Sequence, residues 1–577
     1  MSNPERKHPG IALPVISSDD EIALPMAGRR APTGPIRRVA LIRPATVLPE
    51  MTYTTVVGAP SLALAYLSAV VRQTGRNVVA IDAFGEAPDA FAPLGNRGLC
   101  VNGLDIDDLV ARIPSNVDLI GVSCMFSNEW PYHRRVINAI ARRFPDIPII
   151  LGGEHVSADP DYCFSCCPDI LACVIGEGED TLVDLIDALE SGRDLTGVPG
   201  LALRPQDSGV HHTTKRSRRR ALSGLPWPDW DGMPIENYLA RGIGHGVARV
   251  RSLPLLASRG CPFQCAFCSS PQMWGTRWDI RDVEDVVAEM RSLVATYRVN
   301  SFSFYDLTAI IRKDWILAFA KRLIDERLNV SWNLPSGTRS EALDDEVVRA
   351  LRASGCRSLT YAPESGSQRT LTRIRKRVKL DCMLRSMRAS VREGLLQKAN
   401  IVVGFPGERK RDVLASYGFI LRMAMAGVRD VAVFPFVPYP GSEFHTELRA
   451  AGKIPEPGDA YDRFLENNVY NSFAGMRSWS EHFGDTSIRL FTTGGMAMFY
   501  TAQFAMRPWR IAGTLIRIAR GRPDTMLERM LEGILVRIRG VTGSPRRKSS
   551  PTLDGAMATE AGHRVEAAAE KRIHDAA

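Results

Sequence analysis

Apolar residues in this chain fall into short runs separated by amphipathic stretches. Residues 38–42 (RVALI) are a β-branched run ending at Pro44, which predicts a buried strand. Residues 60–72 carry apolar positions at helical spacing, with Gly75 as a stop. Residues 77–83 predict the next strand and 118–124 another. A helix over 131–144 follows, then strands at 148–151 and 171–175. Strands alternating with helices predict a doubly wound parallel sheet, which binds ligands at the carboxyl ends of its strands. Those ends carry Ser123 with Met125 and Phe126, then Gly152-Gly153-Glu154-His155, then Gly176-Glu177-Gly178-Glu179. Glycines there let a large ligand approach the backbone.

A second α/β pattern runs from about 253 to 449. Its predicted strands are 254–258, 301–305, 331–334, 358–362, 400–403 and 431–436, with helical segments between them. Six such units predict a partial β/α barrel, whose site lies at the strand C-termini. From about 454 the pattern is helical, and residues 509–539 mix Ile, Leu and Met with Arg at helical spacing. The expected division is a mobile arm over 1–35, a first domain over 36–200, a linker over 201–245, a barrel over 246–450, a helical region over 451–540 and a polar tail over 541–577.

Composition narrows the class. With 577 residues, 45% hydrophobic and 24% charged, the chain is neither disordered nor fibrous. No secretory signal opens it, and no apolar run is long enough to cross a bilayer, so a cytoplasmic protein is expected. Cysteines there stay reduced, and clusters of them read as metal ligands. The net charge of +9 permits an acidic partner. Its basic run at 215–220 (KRSRRR) reads as solvated linker charge, and no nucleic-acid partner is expected.

The sharpest chemistry is Gly260-Cys261-Pro-Phe-Gln-Cys265-Ala-Phe-Cys268, placed just after a strand. Three thiolates on one tight loop suit three irons of a 4Fe–4S cluster and leave the fourth iron open. A zinc site would bring a fourth ligand nearby, and none is close in sequence. Cys163, Cys166 and Cys167 read as ordinary buried thiols.

This cysteine spacing at the end of the first barrel strand resembles the radical S-adenosylmethionine (SAM) superfamily. Phe267 matches the aromatic residue beside the adenine. Ser303-Phe304-Tyr305-Asp306 is similar to the second-strand motif, and Tyr361-Ala-Pro-Glu364-Ser365-Gly366-Ser367 to the fourth. Gly404-Phe-Pro-Gly407-Glu408 is similar to the fifth-strand motif, and Pro438-Tyr-Pro-Gly441-Ser442 to the sixth. The resemblance implies SAM contacts from Phe267, Tyr305, Glu364, Ser365 and Gly404. Tyr305, Asp306, Tyr361 and Glu364 are expected at the barrel mouth, without any one standing out as acid or base.

Upstream, the serine after the third strand, G-G-x-H after the fourth and G-E-G-E after the fifth resemble the cobalamin-binding domain that precedes many radical SAM enzymes. By analogy Ser123, Gly152, Gly153, His155, Gly176, Glu177, Gly178 and the loop after Pro44 would cradle cobalamin. The D-x-H-x-x-G motif that supplies a cobalt-ligating histidine is missing. His155 is then either a replacement ligand or a residue packed beside the nucleotide tail. A generic nucleotide-binding sheet is the alternative.

The implied architecture is α/β: a Rossmann-like doubly wound cobalamin-binding domain, a partial (β/α)6 TIM barrel and a helical C-terminal region. The implied function is cobalamin-dependent radical SAM methylation of an unactivated carbon in a small-molecule or lipid substrate. Alternatives are an oxidative cyclase or rearrangement enzyme with the same cofactors, and a non-catalytic cobalamin or iron–sulfur sensor. An electron donor such as flavodoxin or ferredoxin is implied. The C-terminal helices would form a lid on the barrel or make peripheral contact with a membrane.

Overall fold

The N-terminal β-branched runs become the interior of a seven-stranded sheet. Its strands are β1 (Arg38–Arg43), β2 (Asn77–Asp82), β3 (Leu119–Ser123), β4 (Ile149–Gly152), β5 (Ala172–Val174), β6 (Leu201–Leu203) and β7 (His211–His212). The spatial order is β7-β6-β5-β4-β3-β1-β2. Strands β1 to β5 pair in parallel, whereas β6 and β7 run antiparallel at one edge. Val39, Ala40, Leu41 and Ile42 are all buried, as a strand covered on both faces requires. Helices such as Leu62–Gln73, Trp130–Arg143 and Glu179–Ser191 separate the strands. Strand order reverses between β1 and β3, which marks the switch point where such sheets bind ligands.

Two features depart from the sequence expectations. Strands β6 and β7 lie in the stretch expected as linker. A small antiparallel sheet of Thr46–Pro49, Leu99–Asn102 and Phe91–Pro93 also forms, where no strands were predicted.

The second sheet holds β8 (Ser252–Leu255), β9 (Ser301–Phe304), β10 (Ser331–Thr338), β11 (Cys356–Glu364), β12 (Leu396–Val403) and β13 (Asp430–Pro435). They pair in parallel in chain order, as expected of a partial barrel. Helices Asp459–Asn467, Asp485–Met506 and Trp509–Ala519 follow, and the long one packs on Lys410–Ala426 and β13.

This computed structural model describes residues 34–50, 58–95, 98–204, 209–218, 222–244, 250–308, 310–338, 342–469, 476–521, 523–532 and 535. The expected tail, all but two residues of the arm, and Arg219 and Arg220 of the basic run lie outside them. The described residues up to Met530 form one compact unit. Among the described residues, no helix is long and apolar enough to cross a membrane.

Candidate cofactor and active site

The three-cysteine loop leaves β8 through Ser258-Arg259 and turns at Gly260, whose φ is +82°. A Cβ there would meet the Arg277 carbonyl oxygen at 2.0 Å, so the loop closes only on glycine. The Cys268 N–H donates to the Cys265 carbonyl over 3.1 Å, giving a tight turn. Burial pushes the Cys268 thiol up to about 12, and the neighbouring Cys265, Glu154 and Cys261 act in the same direction. Such thiols become thiolates only when metal compensates them. Three thiols on one tight loop suit a cluster, which takes one thiolate on each of three irons.

Aromatic side chains wall the loop. The Phe267 ring lies 5.7 Å from Phe405, which packs 5.0 Å from Phe436. Phe405 follows Gly404 at the end of β12. There Glu408 accepts a hydrogen bond from the Gly404 N–H over 2.6 Å, and burial raises its carboxyl to about 7. At the end of β11, Glu364 takes a positive φ of 63° and pairs with Lys376 at 3.0 Å. A non-glycine residue in that region is strained, a hallmark of functional sites. Ser365 is fully buried, bonded to Ser416 at 3.1 Å and accepting from the Ser367 N–H. It supports the turn from behind. Tyr361 corrects its expectation: it does not face the mouth. It points out of the barrel and shares hydrogen bonds with Ser386 and Ser390 on helix Leu380–Arg392. Asp306 is likewise buried, accepting from Ser258 and the Ala257 N–H, and burial raises it to about 6.

At the edge of the first sheet, Ser123, Gly152, Gly153, Gly176, Glu177 and Gly178 are all partly exposed, although their strands are buried. Gly153 has φ +120°, and a Cβ there would strike the Cys124 carbonyl oxygen at 2.4 Å. Met125 and Phe126 project outward beside it. A low rim with an apolar shoulder fits a flat macrocycle laid across the strand ends. His155 is not part of that rim. It is 1% exposed, its Nδ1 lies 3.0 Å from the Ser127 hydroxyl and its ring 4.8 Å from Trp130. Burial lowers it to about 3, so it stays neutral.

The two sheets present these edges to each other. Ser269, next to Cys268, donates a hydrogen bond to Glu154, which follows β4. Arg259, just before the cysteine loop, makes a buried ion pair with Glu179 at 2.6 Å. Arg218 joins Glu177 at 3.1 Å and donates to the Arg277 carbonyl that closes the loop. Arg216 pairs with Asp184. Arg216 and Arg218 of the basic run are thus a clamp rather than solvated charge, whereas Lys215 is exposed. Glu177, expected at cobalamin, is engaged in this clamp. Near the first sheet's switch point, half-buried Arg43 contacts Asp82 and Tyr238 and lies in electrostatic range of Tyr305. Sequence reasoning missed Glu154, Arg218 and Arg259; the one available signal was that Arg259 immediately precedes the Gly-Cys turn.

Comparison with known proteins matches both halves. The family described as the B12 binding domain matches residues 54–186, and the radical SAM superfamily matches 255–420. An uncharacterized methyltransferase of Pyrococcus horikoshii is 29% identical over 411 residues, 70% of this chain and 82% of its own length. Cytidylyl-2-hydroxyethylphosphonate methyltransferase of Streptomyces wedmorensis is 25% identical, covering 78% and 88%. Anaerobic magnesium-protoporphyrin IX monomethyl ester cyclase of Rubrivivax gelatinosus is 27% identical, covering 60% and 61%. In structure, the methyltransferase TsrM from Kitasatospora setae, with cobalamin and a [4Fe-4S] cluster bound, shares the fold at a TM-score of 0.59. The identity is 19%, over 81% of this chain and 91% of TsrM. OxsB with aqua-cobalamin and SAM bound shares it at 0.61, with 14% identity over 88% and 75%.

Proposed function

We propose that this chain, which belongs to the radical SAM enzymes carrying an N-terminal B12 binding domain, methylates an unactivated carbon of a small-molecule or lipid substrate. The observation that carries this reading is the apposition of the glycine-rimmed strand ends and the three-cysteine loop, locked by Glu154 to Ser269 and by Glu179 to Arg259. The cluster with SAM supplies a carbon-centred radical when bound, and cobalamin supplies a transferable methyl group. Cys261, Cys265 and Cys268 would hold three irons of the cluster and leave the fourth for SAM. Phe267, Tyr305, Glu364 and Gly404 would contact SAM, and the Phe405–Phe436 pair would help exclude water there. Ser123, Gly152, Gly153, Gly176 and Gly178 give the macrocycle its floor. An electron donor of the flavodoxin or ferredoxin class completes the system.

The names of the two methyltransferase relatives favour methylation. The cyclase relative favours a second reading, ring closure with the same cofactors and no methyl transfer. Reduced enzyme carrying both cofactors and given substrate separates them. Methylation yields S-adenosylhomocysteine and a product heavier by one methylene. A product that has lost hydrogen or gained oxygen, with no S-adenosylhomocysteine formed, supports cyclisation instead.

A further inference from the structure

Helix Trp509–Ala519 is turned inside out. A surface helix of a globular protein buries its apolar stripe and exposes its polar one. Here Thr514 is the one buried side chain of the helix. Arg510 points inward and donates to the carbonyls of Gly427 and Val428, at the end of helix Lys410–Ala426. Thr514 and Arg517 both bond to Glu528 at 2.9 Å. The polar edge is therefore spent on the protein. The apolar edge faces out: Trp509 is 68% and Leu515 61% exposed, with Ile511 and Ile516 beside them. Arg507 donates to the carbonyls of Ala424 and Met425, and Met425 and Met506, near this helix, are exposed as well. A contiguous apolar face of this kind marks an interaction site.

Charge identifies what it meets. Between residues 507 and 548 the sequence has eleven Lys and Arg against three Asp and Glu, a net +8 within a chain whose total is +9. With Arg507, Arg510 and Arg517 spent on the protein, and Asp524 and Glu528 paired with Arg517, eight basic residues remain against Glu532 alone. We propose that this face docks on an anionic lipid bilayer. The apolar edge would enter the boundary between headgroups and acyl chains, with Trp509 at headgroup level, and the net positive charge of the adjoining sequence would attract it to lipid phosphates. A second copy of the chain fits less well, because pairing the face with itself would bring two +8 segments together. The inference stands apart from the reaction and holds for methylation or cyclisation alike.

The test is flotation of the full-length protein with vesicles of phosphatidylcholine alone and of equal phosphatidylcholine and phosphatidylglycerol. The protein should rise with the anionic vesicles, less in high salt and less with the neutral ones. Combined Trp509→Ser, Leu515→Ser and Ile516→Ser changes should weaken binding by about tenfold or more. Amide exchange over residues 506–519 of the unmodified protein should slow when anionic vesicles are added, a readout that needs no variant. Failure to float, or floating without slower exchange in this segment, overturns the proposal. So does a dimer, seen by analytical ultracentrifugation, that the triple variant loses and that vesicles do not compete away.

Discussion

His155 illustrates how position decides what an imidazole can do. It opens the helix just after the glycine rim, yet its side chain turns into the core against Trp130 and Ser127. Burial holds its pKa at about 3, below the ordinary 6.5, so folding excludes a proton that the unfolded chain binds. Its contribution to stability is complete above 6.5 and is lost as pH falls toward 3. A His155→Phe variant should therefore lose less stability on acidification than the parent, measured by urea unfolding at neutral and mildly acidic pH. The same variant should leave the absorbance spectrum of bound cobalamin unchanged. A spectrum that moves would make His155 a cobalt ligand after all.

At the scale of elements, the link between cysteine loop and first sheet rests on buried charge. Arg259 and Glu179 are both nearly inaccessible, and removing one partner strands the other. Glu179→Gln should cost about 3 kcal/mol in a denaturant titration; an unchanged midpoint would mean that the pair contributes nothing. The same scale shows what the sequence makes legible. Strands buried on both faces, such as β1 and β13, read as apolar runs and were foreseen; β10 and β12 alternate buried with half-buried positions, and only part of each was foreseen. The Thr46–Pro49 sheet was not: Phe91–Pro93 is exposed throughout, and Thr46–Pro49 pairs with Leu99–Asn102, a segment distant in sequence. Arg218 sits in a run that looks like solvated charge, and only the folded position of Glu177 reveals its role. Tyr361 was misplaced because strand alternation sends successive side chains to opposite faces, and its own faces the helix layer.

For the molecule as a whole, each half builds its cradle from its own backbone, and the two meet at the cofactor edges and through helix Asp459–Asn467, whose Tyr461 and Asp462 bond to Asp159, Tyr162 and Arg134. Cys265→Ala should accordingly abolish iron–sulfur absorbance and SAM cleavage while cobalamin still co-purifies; loss of both would show that the cradles form only together. The edge strands β6 and β7 add a consequence for modularity. They come after residue 200, pair with β5, and lead directly into the Arg216–Arg218 clamp. The natural seam between the halves therefore lies past the clamp rather than at the end of the alternating pattern. A chimera joined near residue 200 would inherit an unpaired sheet edge, an invitation to aggregate. One joined near 244 would carry the edge strands and clamp together, and should remain soluble where the first does not. Recombination could move the cobalamin half between partners only as that longer cassette.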